Sequence, residues 1–320
     1  MPETVRIALI GAGAFGVSLL ETLRTICGVE IVAVADRDRE RAQQIAARFD
    51  VQRATNDMLQ AIGGDDVNTV VIATPETLHV EPALAALNAG KNVFIEKPLA
   101  HDAPSAQKIV DASKKSGRIV MPGHILRFEA RVQAARARLG QAGTVRSISC
   151  RQYRPRTQFE KYKRIHPAFV ILIHHIDLCL AFAQSNVVKV GARERYFIDK
   201  NSPSNLWAWL EFENGAIATL QMGYDLECAA PAAPDDAIDI VTERERIRLS
   251  FGDEGIDVYD KSGSNSVDLC YTQALRAELE YFVECVQAKR QPEIVTPRDA
   301  AAAVEIAERI VAAAKAETYV

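Results

Sequence analysis

Lys97 is the residue of this chain best placed to move a proton. It follows the apolar run Asn92–Glu96 and precedes Pro98, which biases Lys97 toward extended backbone and so keeps its side chain at the end of a strand. Burial or a neighbouring positive charge would lower its pKa toward the range where an amine accepts a hydroxyl proton. A solvated turn lysine is the plain alternative. Histidine offers the other chemistry. His124, His166, His174 and His175 could be imagined around a metal ion, but His174 and His175 are sequence neighbours, about 100° apart on a helix, and cannot easily share one ion. No metal is expected.

The elements that would position Lys97 begin at the N-terminus. The apolar run Val5–Ile10 leads into Gly11-Ala12-Gly13-Ala14-Phe15-Gly16, which fits G-x-G-x-x-G and opens a predicted helix. In that pattern the first glycine permits the turn, the second lets a pyrophosphate approach the backbone, and the third lets the helix pack closely. The phosphates would rest on unpaired amides at the positive end of the helix. A second apolar strand, Val29–Ala35, ends at Asp36, 20 residues beyond Gly16, where an acid can bond ribose hydroxyls. Asp36 would repel a 2′-phosphate, so the pattern predicts NAD. Arg37 beside it leaves NADP open, because an arginine there can accommodate the phosphate.

Short apolar strands alternate with helical stretches from Val5 to Val120, with further strands read at Thr69–Thr74, Asn92–Glu96 and Ile119–Met121. That alternation implies right-handed crossovers and a doubly wound parallel sheet, an α/β N-terminal Rossmann domain over residues 1–122. Beyond Gly123 the pattern changes. A helix is predicted over Glu129–Leu139 and another over Ala168–Gln184. Strands then follow one another from Val187 to Tyr259, with Asn214-Gly215 as a two-residue hairpin signal. Residues 123–320 are therefore expected to form an α+β domain with a large, mainly antiparallel sheet, the last helix packing back on the first domain.

The 320 residues carry a net charge of −4 and are 48% hydrophobic, a soluble composition that recommends neither nucleic acid nor an anionic membrane as partner. No apolar run approaches the roughly 20 residues of a membrane span. The N-terminus lacks the regions of a signal peptide, so a cytoplasmic location is expected. Six cysteines without any C-x-x-C pair read as reduced core residues.

These motifs together resemble the Gfo/Idh/MocA family, named for glucose-fructose oxidoreductase and inositol dehydrogenase. The resemblance spans nearly the whole chain. It rests on the glycine turn, Ala73-Thr74-Pro75 with His79, Glu96-Lys97-Pro98, Gly123-His124 with Arg127-Phe128, and His174-His175-Ile176-Asp177. It implies an NAD(P)-dependent oxidoreductase passing hydride between the nicotinamide and a sugar, polyol or sugar-acid carbon. The C-terminal sheet would build a homodimer or homotetramer. Lys97 and His174 match the catalytic positions; Thr74, Pro75, His79, Glu96, Lys97 and His124 match cofactor positions; Lys97, His174, Arg127, Arg154 and His166 are expected at the substrate.

One departure stands out. Many family members have an aspartate four residues before the histidine, and here that residue is Val170; His166 is the nearest polar substitute. The run from Arg151 to Arg164 holds six basic residues against the single acid Glu160, which could pair with an anionic substrate. A charge run is also an ordinary solvated face. Two rival readings follow: a reductase or dehydrogenase of a non-sugar anionic carbonyl compound, and a non-catalytic dinucleotide-binding regulator of the same fold.

Overall fold

The computed structural model describes residues 3–226, 236–250, 255–268 and 273–316. The chain forms two units, Met1–Phe128 with Gln273–Val304, and Glu129–Thr272 with Glu305–Val320. This division differs from the 1–122 and 123–320 reading in two ways. It falls at Phe128, and it takes 273–304 into the first unit.

In the first unit β1 (Val5–Ile10), α1 (Ala14–Leu23), β2 (Val29–Ala35), α2 (Arg39–Arg48), β3 (Arg53–Thr55), α3 (Met58–Ile62), β4 (Thr69–Ile72), α4 (Val80–Asn88), β5 (Asn92–Glu96), α5 (Ala103–Ser116) and β6 (Val120–Gly123) follow in turn. Their described strands make a six-stranded sheet in the order β3-β2-β1-β4-β5-β6, every pairing parallel. This is the doubly wound order, whose chain reversal beside β1 opens a crevice at the carboxyl ends of the strands. Strands covered on both faces read as continuous apolar runs, and β4 is buried at all four positions. β3 has only three residues, too few to show a period, and the sequence pattern did not reveal it.

Aspartates begin three of the helices. Asp38 accepts from the Arg41 amide, Asp57 from the amides of Leu59 and Gln60, and Asp102 from the Ser105 amide, each satisfying first-turn donors of α2, α3 or α5. Helix α1 begins at Gly13 with no side-chain cap. Helix α4 also starts without one, at His79, but α1 does so at the glycine turn.

The second unit holds α6 (Ala130–Ala142), β7 (Val145–Pro155), α7 (Arg156–Tyr162), α8 (Pro167–Val170), α9 (Leu172–Ala183), β8 (Val187–Arg195), β9 (Asn205–Phe212), β10 (Ile217–Leu226), β11 (Ala237–Thr242), β12 (Arg246–Ser250), β13 (Gly255–Asp260) and β14 (Gly263–Asp268). Eight described strands form one sheet, β14-β13-β12-β11-β7-β10-β9-β8, antiparallel at every pairing except β7 with β10. The register makes it two-faced. Leu210, Ala218, Ile148, Ile240 and Ile247 lie on the buried face, while Trp209, Ile217, Val241 and Tyr259 remain exposed on the other.

Three local readings are corrected. Asn214-Gly215 does make the hairpin turn, with Gly215 at φ +85°, but Phe212 and Ala216 close it, so the loop is 213–215 and longer than two residues. The helix expected over Ala168–Gln184 is interrupted at Ile171, where the adjacent β-branched Val170 and Ile171 are weak helix formers. Cys150, Cys179 and Cys285 are buried free thiols, but Cys27 is exposed; Cys228, Cys270 and most of the alanine- and proline-rich stretch 229–236, which reads in sequence as a surface loop, lie outside the described residues.

Helix α10 (Ala274–Ala288) belongs to the first unit because its apolar face completes that core: Phe282 meets the Phe94 ring with centroids 5.4 Å apart, and Tyr281 meets Phe128 at 5.6 Å. The chain ends its described part in α11 (Pro297–Lys315), which runs from one unit into the other. Phe282 is fully buried, so Phe282→Ala should cost about 3–5 kcal/mol through lost transfer energy and the cavity left behind. Urea unfolding followed by circular dichroism measures this, and a loss below about 1 kcal/mol would show that α10 is not part of the core.

Candidate active site

The glycine turn works by close backbone approach. Gly11 adopts φ +97°, and a Cβ there would lie 2.7 Å from the carbonyl of Ala73 and 2.8 Å from the Thr74 amide nitrogen. A Cβ on Gly16 would sit 2.1 Å from the Gly11 carbonyl oxygen. Side chains at these positions would force apart the ends of β1, α1 and β4. Gly13 is different, since a Cβ there would meet nothing within 4 Å. Gly13 lines a cavity of about 650 Å³ together with Gly11, Asp36, Arg37, Arg41, Thr74 and Pro75, all in the first unit. An uncapped helix start opening on this space supplies the amides of Ala14, Phe15 and Gly16 for a pyrophosphate. Leu59 and Leu78 also line the cavity, and both are about half exposed, an apolar pair suited to the faces of a flat base. The residues present thus fit a dinucleotide.

Asp36 is buried at the end of β2 and already holds three donors. The Ala12 amide bonds Oδ2 at 2.8 Å, and the Asp38 amide and Arg41 Nη2 bond Oδ1 at 3.0 and 2.7 Å. Burial pushes its pKa up, but these bonds, Arg41's above all, outweigh burial and hold the carboxyl below its ordinary value. Sequence reading missed Arg41. Arg37, the arginine it weighed, is exposed and lines the cavity, while the guanidinium bound to the carboxylate comes from the first turn of α2. The helix start signalled by Asp38 could have revealed this, because a residue in that first turn lies close to the preceding strand end.

At the ends of β4 and β5 the polar groups serve one another. The buried His79 ring lies between two backbone carbonyls, Nδ1 at 2.9 Å from Pro98 and Nε2 at 2.8 Å from Thr74. Burial lowers its pKa against the pull of those carbonyls and of Glu76. The neutral ring has one N–H to donate to one of these carbonyls, and its place between them sets His79 against both the end of β4 and the residues after Lys97. Glu96 is buried and accepts from the Lys97 amide at 3.2 Å. Burial drives its pKa up to about 8, with Lys97 acting in the opposite direction. Lys97 itself is driven down by burial, against the charges of Glu96 and Glu76. The Lys97–Pro98 peptide is cis. His124 and Arg127 are buried after β6, and Arg127 donates to the Ile294 carbonyl at 3.0 Å, anchoring 273–304 within the unit.

The second unit contains the remaining candidates. His174 is the partly exposed histidine of α9, and His175 beside it is buried and pushed down to about 3 by burial and by Arg154. His166 caps α8, accepting from the Ala168 amide at Nδ1, and its Nε2 lies 2.9 Å from Glu194. Tyr196 donates to the other Glu194 oxygen at 2.5 Å. Val170 is buried at the end of α8, and the single residue Ile171 separates it from α9, which carries His174. Arg154 forms an ion pair with Asp236, whose other oxygen accepts from the Tyr153 amide at 2.9 Å. The basic run is thus answered in part by an acid far away in sequence, and Glu160 pairs with Lys163 at 2.8 Å.

Comparison with known proteins agrees with this geometry. Residues 5–124 match the oxidoreductase family with an NAD-binding Rossmann fold, and residues 131–248 match the GFO/IDH/MocA C-terminal domain. A 4-carboxy-2-hydroxymuconate-6-semialdehyde dehydrogenase from Sphingobium sp. is 31% identical over 233 residues, 69% of this chain and 72% of that protein. An inositol 2-dehydrogenase from Arthrobacter sp. is 32% identical over 256 residues, 74% of each chain. In fold, the UDP-N-acetylglucosamine 3-dehydrogenase of Acidithiobacillus ferrooxidans superposes with a TM-score of 0.88 at 24% identity, covering 99% of both chains. No helix among the described residues is long and apolar enough to cross a membrane. The chain therefore belongs to the GFO/IDH/MocA family of oxidoreductases, and its first unit is an NAD-binding Rossmann domain.

Proposed function

We propose that this oxidoreductase oxidises a hydroxyl-bearing carbon of a polyol, sugar or sugar acid, or runs the reverse reduction, with Lys97 as the group that exchanges the hydroxyl proton. The observation that carries the reading is the state of Lys97 at the carboxyl end of β5. Its ammonium is disfavoured by burial, which favours the neutral amine that can accept a hydroxyl proton, and the carboxyl of Glu96 stands beside it. In the oxidising direction the hydroxyl O–H bond breaks toward Lys97 Nζ while the carbon's hydride leaves and a C=O bond forms. NAD, when bound, supplies the hydride acceptor. His174 is the second polar group we assign to the reacting oxygen. Thr74, Pro75, Glu96 and His124 are assigned to the nicotinamide end, and Arg127, Arg154 and His166 to supporting the substrate side.

A second substrate class has a specific observation in its favour, the similarity to a dehydrogenase of a carboxylated semialdehyde. An aldehyde presents a hydroxyl as its hydrate or cyclic hemiacetal, so the same proton transfer by Lys97 serves it. The pairing of Arg154 with Asp236 weighs against that guanidinium as the carboxylate's receptor. Polyols, aldonic acids and carboxylated semialdehydes assayed side by side with NAD decide between the two classes. A polyol or sugar acid turned over best supports the first, and a carboxylated semialdehyde the second.

Lys97→Met should lower kcat by about 10³-fold or more, combining lost general-base catalysis with lost positioning, while leaving NADH binding within a few-fold. Because only the neutral amine accepts a proton, kcat for oxidation should rise with pH through an ionisation below the ordinary lysine value, and that step should vanish from the residual rate of the variant. Near-normal turnover by Lys97→Met would end the assignment.

For the assembly we propose that a second copy of the chain covers the exposed sheet face bearing Trp209, Ile217, Val241 and Tyr259. Light scattering should give the mass of a dimer or tetramer, and Trp209→Glu should shift it toward the monomer. A monomeric native protein would remove this part of the reading.

A further inference from the structure

The helical run that carries His174 is tethered at its start by a side chain from β8. Ala168 donates its amide to His166 Nδ1 at 3.1 Å, so that nitrogen carries no proton, and the neutral ring keeps its proton on Nε2. Nε2 lies 2.9 Å from Oε2 of Glu194 on β8, to which it donates. The other Glu194 oxygen accepts from the Tyr196 hydroxyl at 2.5 Å, which fixes the carboxylate, and the glutamate side chain is only 7% exposed. The bond from His166 above all holds the Glu194 carboxyl below its ordinary value, against burial. Both imidazole nitrogens are thereby used inside the protein. From the cap the bonded path continues along the backbone: Ile171 donates to the Pro167 carbonyl at 3.0 Å, and His174 to the Ile171 carbonyl at 3.4 Å. A shift of the imidazole is passed along this path to His174 rather than absorbed by a loop.

We propose that Glu194 is a positioning residue for His174: its carboxylate holds the His166 imidazole that caps α8, and so sets where the chain delivers His174. His166 then supports the substrate side through the backbone, with no nitrogen turned to a ligand. The catalytic meaning rests on the assignment of His174 to the reacting oxygen, whereas the positioning itself can be read without substrate. Substitutions separate the two bonds of the ring. His166→Asn puts an amide oxygen at the place of Nδ1, so it keeps the cap but falls short of Glu194. Glu194→Gln keeps an oxygen to accept from Nε2–H.

Imidazole nitrogen NMR of the full-length protein, labelled at its six histidines with the heavy nitrogen isotope, tests it. The native His166 ring should show its proton on Nε2. Glu194→Ala and His166→Asn should each shift the His174 ring signals in the same direction, the double variant should shift them no further, and Glu194→Gln should restore the native positions. His79 and His101, in the first unit, should keep their signals in every variant and so report an intact fold; His166→Asn gives the same comparison should Glu194→Ala not fold. On whichever polyol, aldonic acid or carboxylated semialdehyde the native enzyme oxidises best, Glu194→Ala should lower kcat about tenfold to a hundredfold with KM changed less than about threefold, the scale of a small misplacement of a reacting group. The proposal is overturned if His166 carries its proton on Nδ1, if Glu194→Ala leaves the His174 signals in place, or if the single shifts add in the double variant. A slow His174→Ala enzyme beside a Glu194→Ala enzyme of native kcat overturns it as well. Native kcat in His174→Ala removes instead the assignment of His174 to the reacting oxygen, and the NMR comparison still decides the positioning.

Discussion

The close approach of Gly11 to the backbone of Ala73 and Thr74 sets the positions of everything at the cofactor end of the first unit. With less than 3 Å to spare for a Cβ, the end of β1 and the end of β4 are fixed against each other by backbone rather than by adaptable side chains. Gly16 extends the same constraint to α1, whose first turn must lie against the Gly11 carbonyl. A helix held there opens its uncapped amides onto the cavity, and Asp36 joins β2 to the same turn through the Ala12 amide. Phosphate recognition and ribose recognition are therefore not separate features. Both follow from one tightly packed turn.

The chemistry at the next strand end depends on burial more than on charge. Glu96 and Lys97 are neighbours in sequence and opposite in charge, which in water would leave both ionised. Burial moves the glutamate up and the lysine down, against their mutual attraction, and so narrows the gap across which a proton must pass. His79 contributes by geometry. Its ring lies between the carbonyls of Thr74 and Pro98, within hydrogen-bond distance of both, so the stretch carrying Lys97 is referenced to the same β4 end that Gly11 touches. A side chain matched by family pattern to the cofactor thus also meets the backbone on both sides of that strand end.

Legibility in the sequence tracked the range of the interactions. The parallel sheet, the glycine turn, Asp36 and Lys97 were readable because strand periodicity, a six-residue turn and a strand-terminal acid are local signals. The three residues of β3 carry too little pattern, and α7 lies in a basic run that reads as a solvated charged face. Arg41 was hidden by proximity in sequence, since Arg37 sits next to Asp36 while Arg41 reaches it through one turn of helix. The membership of 273–304 in the first unit depends on Phe282 meeting Phe94, a contact between segments nearly two hundred positions apart.

The second unit shows why a local charge count misjudges a site. Arg151 to Arg164 looks unbalanced until strand register is applied. In the antiparallel pairing of β11 with β7, Ala237 stands opposite Arg151, which brings Asp236 level with the following residues of β7. There it receives both the Tyr153 amide and the Arg154 guanidinium. His166 is treated the same way, by a glutamate on β8 that also holds Tyr196. Asp236, just before β11, and Glu194 on β8 thus answer Arg154 and His166 from segments distant in sequence. Val170 at the end of α8 is itself buried, so the place of an acid four residues before His174 is taken by an apolar side chain.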